Sequence, residues 1–121
     1  MVNDLLERRL GLIRLAIVGL VRRDGPDLTA RQLAVLLTAY LENEAQTVRG
    51  LAARLDVSKS AITRALDRLA EYDLVRRKQD TLDRRSVLVQ RTTTGLGFLH
   101  QLSQIVADAC VPAETSSNTT A

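Results

Sequence analysis

Aromatic residues are scarce in this chain of 121 residues: two Tyr, one Phe and no Trp. Its core must therefore be aliphatic. Stacking platforms for single-stranded nucleic acid, which need aromatic faces, are excluded. A single cysteine, Cys110, rules out an internal disulfide framework and fits a reducing compartment. A single histidine, His100, cannot assemble a zinc cluster or a histidine-based catalytic set with that one thiol. No metal, cofactor or catalytic residue is expected, and His100 reads as a core or helix-surface side chain. No Walker-type loop or dinucleotide fingerprint is found. The apolar run at 10–21 is broken by Arg14 and falls far short of a membrane span. Asp4 and Glu7 in the first turns, with no small-residue cleavage site after an apolar run, do not suit a signal peptide. The expected location is the cytoplasm.

What is present suits one soluble domain. Hydrophobic residues make up 45% of the chain and charged residues 26%, enough for a buried core and a solvated surface. The formal net charge of +3 is modest, so its distribution matters more than its size. Arg8, Arg9, Arg14, Arg22 and Arg23 lie early. Lys59, Arg64, Arg68, Arg76, Arg77, Lys78, Arg84, Arg85 and Arg91 crowd the second half.

Helical periodicity organises most of the chain. Residues 3–23 read as one helix, capped by Asn3 and stopped by Gly25-Pro26, with Leu6, Leu10, Ile13, Ile17 and Leu20 in a stripe widened by Leu5, Leu12 and Ala16. That stripe suits either an ordinary core helix or a helix shared with a second subunit. A second helix starts at Thr29, where Thr29 and Gln32 fit a capping box, and its inward face is expected at Leu33, Leu36, Leu37, Tyr40 and Leu41. A short third helix follows Thr47, with Val48, Leu51, Ala52 and Leu55 inward. Ser58 caps a fourth, whose back is Ile62, Ala65, Leu66 and Leu69. Residues 74–78 and 86–91 suit strands joined by a polar hairpin loop. A final helix covers 92–110, with Leu96, Leu99, Leu102, Ile105 and Val106 at its spacing and Gly95 and Gly97 weakening its first turn. Residues 112–121 are small and polar and are expected to form a disordered tail.

Two helices joined by a few residues and followed by a hairpin with basic flanks are the order of a winged helix-turn-helix. A major groove admits one helix, which must have an apolar back and a front of short polar side chains and cations. Residues 58–69 meet this requirement. Ser60, Thr63, Arg64 and Arg68 stand opposite the apolar back, and Lys59 lies in the first turn beside the capping Ser58. Arg64 can make a bidentate guanine contact. Asp67 and Glu71 are expected to pair with Arg64 or Arg68. Arg84 and Arg85 at the hairpin tip suit a minor groove, whose negative potential attracts arginine. With Thr47, these residues are the expected DNA-contacting set. A solvated surface helix with scattered charge is the plain alternative.

The segment VRGLAARLDVSKSAITRALDRLAEYDLVRRKQDTLDRRSVLVQRTTTG, residues 48–95, resembles the multiple-antibiotic-resistance regulator (MarR) family. The resemblance rests on Leu51-Ala52, Leu55, Ser58, Thr63, Leu69, Leu74-Val75, Asp83, Arg85, Thr92 and Gly95, and helices on both sides extend it over roughly residues 5–108. It implies a mainly α fold with a small β-hairpin wing. Residues 1–111 would form one domain, with dimerisation helices at about 3–23 and 93–110 and a DNA-binding part at about 29–92. It implies a homodimer whose interface includes Leu6, Leu10, Ile13, Ile17, Leu20, Leu99, Leu102 and Ile105. It also implies that Asp83 orients the wing while Arg85 probes the minor groove. Many family members bind aromatic effectors, but with so few aromatics no residue here identifies such a pocket.

The expected function is sequence-specific binding of double-stranded DNA by a transcriptional regulator, a repressor, on a pseudo-palindromic operator. The alternative is a winged-helix protein-contact module, an antirepressor or adaptor, in which the apolar first helix would be the working surface. An enzyme is the least favoured reading, since no catalytic constellation survives.

Overall fold

A computed structural model gives the structure of the chain, and residues 3–110 are described. The expected tail at 112–121 lies outside the described residues. Those described form five helices and one two-stranded antiparallel sheet: α1 Asp4–Arg22, α2 Ala30–Leu41, α3 Val48–Leu55, α4 Lys59–Glu71, β1 Val75–Gln79, β2 Val87–Arg91 and α5 Thr93–Ala109. Among the described residues, contacts divide the chain into two compact units, one from Leu28 to Phe98, the other made of residues 3–27 and 99–110.

Local chemistry sets the ends of the helices. The Asn3 side chain accepts from the Leu6 amide at 2.8 Å and caps α1. Thr29 and Gln32 form the full reciprocal capping box at the start of α2. α3 ends on Asp56 in the left-handed conformation, at φ 54°, and α4 is followed by Asp73 at φ 57°. Asp is among the few non-glycine residues that visit this region at modest cost.

The core of the Leu28–Phe98 unit is aliphatic. Leu36, Leu51, Ile62, Leu66 and Leu69 are fully buried, joined by Val35, Leu74, Val75 and Val89. α2 meets this core with Val35, Leu36, Ala39 and Tyr40, whereas Leu41 is 72% exposed. The inward face is thus turned by about 100°, one residue, from the expected stripe. Leu36 and Tyr40 stay inward, while Val35 and Ala39 are buried in place of Leu33, Leu37 and Leu41. The Tyr40 hydroxyl donates to the Leu74 carbonyl at 2.6 Å and accepts from the Thr92 amide at 2.9 Å, which anchors the end of α2.

Gly95 occupies the same spot. A Cβ there would collide with the Tyr40 hydroxyl and the Leu74 carbonyl, so the glycine permits a close approach instead of merely weakening the helix. Thr92 caps α5, its Oγ1 accepting from the Gly95 amide at 2.8 Å.

In the other unit, α1 buries none of its residues. Leu6, Leu10, Ile13 and Ile17 are each at least 40% exposed, and Leu20, Leu99 and Ile105 are half-buried. Leu102 differs from the expected interface set: at 8% exposed it is already taken up within the chain. Gly19 lies against Ile105, where a Cβ would come within 2.6 Å of the Ile105 Cγ2. Among the described residues, no helix is long and apolar enough to cross a membrane.

Candidate nucleic-acid interface

All parts of the candidate site fall within the Leu28–Phe98 unit. α3 begins at Thr47, whose Oγ1 accepts from the Gly50 amide at 2.9 Å. The left-handed Asp56 turns the chain, with the Val57 amide returning to the Ala52 carbonyl at 3.1 Å. Ser58 then starts α4, its Oγ accepting from the Ala61 amide at 3.1 Å. Thr47 and Ser58 are therefore helix caps first. Each keeps a hydroxyl proton that can still be donated outward.

Packing fixes the roll of α4. Ala61, Ile62, Ala65, Leu66 and Leu69 are buried, which forces Lys59, Ser60, Thr63, Arg64, Asp67 and Arg68 to the surface. Ser60, Thr63, Arg64 and Asp67 follow i, i+3, i+4, i+7 spacing and share one exposed stripe. Lys59 and Arg64 form no ion pair with any described residue. Arg68 is engaged: it pairs with Glu71 at 3.0 Å and lies over the Tyr72 ring at 5.9 Å. The hydrogen bond to Glu71 raises the pKa of a guanidinium that is charged in any case.

Asp67 departs from the expected local pairing. It meets Arg77 of β1 at 2.7 Å, so α4 and the hairpin are joined by charge as well as by packing. Helical spacing detects only partners three or four residues away, and this one is ten residues on. Arg76 turns back to Asp73 at 3.6 Å. The Arg76-Arg77-Lys78 run is therefore not a uniform basic patch: Lys78 alone of the three forms no ion pair with a described residue.

The hairpin pairs Val75 with Arg91 at its base and Gln79 with Val87 toward its tip. Its base is held in two ways that leave no local signal in the sequence. Gln46 and Thr47 lie along β2: the Val89 amide donates to the Gln46 carbonyl at 2.8 Å, and Thr47 forms a bridge with Leu88. Arg91 reaches α2, donating to the carbonyls of Ala39 at 3.1 Å and Glu42 at 2.6 Å. At the tip, the Asp83 carboxylate accepts from the Arg85 amide at 3.0 Å, and its carbonyl accepts from the Ser86 amide at 2.9 Å. Asp83 thus organises the turn. The Arg85 guanidinium is 3.8 Å from Asp83 with its side chain 91% exposed, and Arg84 forms no ion pair with a described residue.

A short capped helix, a left-handed turn, a second helix with a buried back and polar front, and a two-stranded hairpin together define a winged helix. Residues 28–87 match the model of the MarR family and form a MarR-family domain. The chain has the winged-helix fold of MarR-type transcriptional regulators. It is similar to the YusO protein from Bacillus subtilis, with a TM-score of 0.72 at 20% identity over 97% of this chain and 84% of that one. It is similar to a MarR-family transcriptional regulator from Rhodococcus sp. RHA1, with a TM-score of 0.66 at 26% identity over 95% of this chain and 84% of that one. It is also similar to overoxidized AbfR bound to DNA, with a TM-score of 0.62 at 26% identity over 95% of this chain and 77% of that one. No curated protein is a significant match to the chain by sequence.

Proposed function

We propose that this protein is a sequence-specific, double-stranded-DNA-binding transcriptional regulator that works as a cytoplasmic homodimer. Two copies of α4 enter successive major grooves of a pseudo-palindromic operator. Ser60, Thr63 and Arg64 face the base edges, Lys59 and Arg68 the phosphates, and the wing arginines an adjacent minor groove. In this reading the bound dimer blocks access of other proteins to the site and so acts as a repressor. The protein carries no catalytic role.

The observation that carries this reading is the exposed stripe Ser60-Thr63-Arg64 on a helix whose opposite face is fully committed to the core. Arg64 has no ion-pair partner among the described residues, so its guanidinium is available to a guanine edge. Support also comes from AbfR, a structural relative described bound to DNA.

The test is selection of bound fragments from random duplex DNA, followed by a salt titration on the selected site. A recovered two-fold-symmetric site, bound with an affinity that falls steeply with salt, is the expected result. Little affinity for any duplex, with no salt slope, would discard the reading in favour of a protein-contact module working through α1.

A further inference from the structure

At the wing tip stands a large apolar side chain that neither the core nor the proposed base contacts use. Leu82 is 95% exposed, more than any other large hydrophobic residue described. Single exposed leucines are common, and exposure alone carries nothing. What sets Leu82 apart is its mounting and its neighbours. Its own amide is held by the Asp80 carboxylate at 2.9 Å. Across the loop the Asp80 amide donates to the Ser86 carbonyl at 2.9 Å, and the Gln79 side chain donates to the Arg84 carbonyl. Asp83 ties the following turn to the Arg85 amide. The loop is thus braced on both sides of Leu82, and Arg84 and Arg85 follow within three residues.

An apolar group flanked by arginines suits a duplex minor groove. The walls of that groove are the C–H edges of sugars, its potential is negative, and its width is about 6 Å. Reach agrees. From Val75, whose side chain is buried in the core, five steps of roughly 3.3 Å along β1 to Asp80 carry the base of the tip loop about 17 Å outward. Half a helical turn of duplex, the offset from a major groove to the next minor groove, is also about 17 Å.

We propose that Leu82 is an apolar minor-groove contact that sets sequence preference at the wing. It packs against the sugar edges beside Arg84 and Arg85. The exocyclic amine of guanine, which projects from the groove floor, stands where the leucine methyls would lie and would lose its water there. A·T pairs lack that amine. This inference rests on the DNA-binding reading and adds a specificity determinant to it.

The experiment uses the full chain and its selected duplex, with the base pairs under the wing, located by hydroxyl-radical protection, made A·T, G·C or inosine·C. Inosine keeps the major-groove face of guanine and lacks the minor-groove amine. The protein should bind the A·T and inosine·C duplexes alike and the G·C duplex about tenfold more weakly. Leu82→Ser should reduce that ratio by about three- to tenfold. Leu82→Met should keep it, Arg64→Ala should leave it unchanged, and none of the three should alter thermal unfolding appreciably. An unchanged ratio in Leu82→Ser, or an inosine·C duplex as weak as G·C, overturns the proposal while leaving DNA binding in place. Failure of the unmodified protein to bind any duplex overturns both.

Discussion

Asp67 on α4 and Arg77 on β1 form a 2.7 Å ion pair that links the proposed major-groove helix to the hairpin. Asp67 stands three residues from Arg64 on the exposed stripe, where a bare carboxylate would repel phosphate. Pairing with Arg77 offsets that charge and also keeps Arg77 from reaching phosphate itself. The pair is partly exposed, with side-chain exposures of 32% for Arg77 and 53% for Asp67, so its contribution to stability should be only about 0–1 kcal/mol. Asp67→Asn should therefore leave denaturant unfolding almost unchanged. On random duplex it should raise affinity and steepen the salt slope by about one unit, as the released Arg77 takes up a phosphate. An unchanged slope would mean that Arg77 stays away from DNA even when it is free.

The Asp67–Arg77 pair also illustrates what the sequence could and could not reveal. Helix positions and caps were legible because their causes are local: Asn3, Thr29, Thr47 and Ser58 each bind an amide three residues on. The back of α4 was legible because Ile62, Ala65, Leu66 and Leu69 repeat at the helical period. The inward face of α2 lies one residue from the expected stripe because α4 and α3, which lie further along the chain, take up Val35 and Ala39, a choice that helical period does not encode. Helical spacing likewise points Asp67 to neighbours on its own helix, whereas its partner Arg77 is ten residues on. The clamp of Arg91 on the end of α2 spans 49 to 52 residues and left no local signal at all.

The Tyr40–Gly95 contact should be among the most sensitive points of the winged unit. Gly95→Ala places a methyl against the Tyr40 hydroxyl and a backbone carbonyl that cannot retreat, and should cost about 3 kcal/mol or more. Tyr40→Phe leaves the ring in place but removes the acceptor of the Thr92 amide and the donor to Leu74, and should cost about 1–3 kcal/mol. In the double variant the two costs should not add, because the missing hydroxyl relieves part of the clash. Urea unfolding of the three proteins measures this, and strict additivity would mean that the two side chains do not compete for one space.

Dimerisation is expected to depend on α1. Ile13 is 55% and Ile17 53% exposed in the single chain, four residues apart on one helix face. An aspartate at either position would have to be desolvated in an apolar interface. Ile13→Asp and Ile17→Asp should give monomers by light scattering at tens of micromolar, where the unmodified chain should have the mass of a dimer. A monomeric mass for the unmodified chain at that concentration would sink the dimer. The winged unit of the monomeric variants should keep its fold, since neither residue belongs to the Leu28–Phe98 unit.

The remaining prediction separates reading by α4 from reading by the wing. Arg64 projects from α4 with no ion pair to a described residue, whereas Arg85 lies at the hairpin tip beside Asp83, its side chain 91% exposed. If Arg64 takes a guanine edge, Arg64→Ala should cost about 1–3 kcal/mol on the selected site and relax preference at one position in each half-site. Its effect on unrelated duplex should be small. Arg85 responds to groove width and potential, with no unique base code, so Arg85→Ala should weaken binding to all sequences and most where the flanks are A·T-rich. Asp83→Ala should act in the same direction but less, because the Asp83 carboxylate shapes the turn through the Arg85 amide and the Ser86 hydroxyl without touching DNA. Val89→Asp would be a poor comparison, since Val89 is buried beneath the sheet and a charge there should unfold the unit. Affinities of the three alanine variants on one matched site, one mismatched site and one site with G·C flanks, all at fixed salt, separate the two roles. If Arg64→Ala and Arg85→Ala both leave affinity and preference intact in folded protein, the docking of α4 and the wing is wrong, and the exposed face of α1 becomes the surface to test for a protein partner.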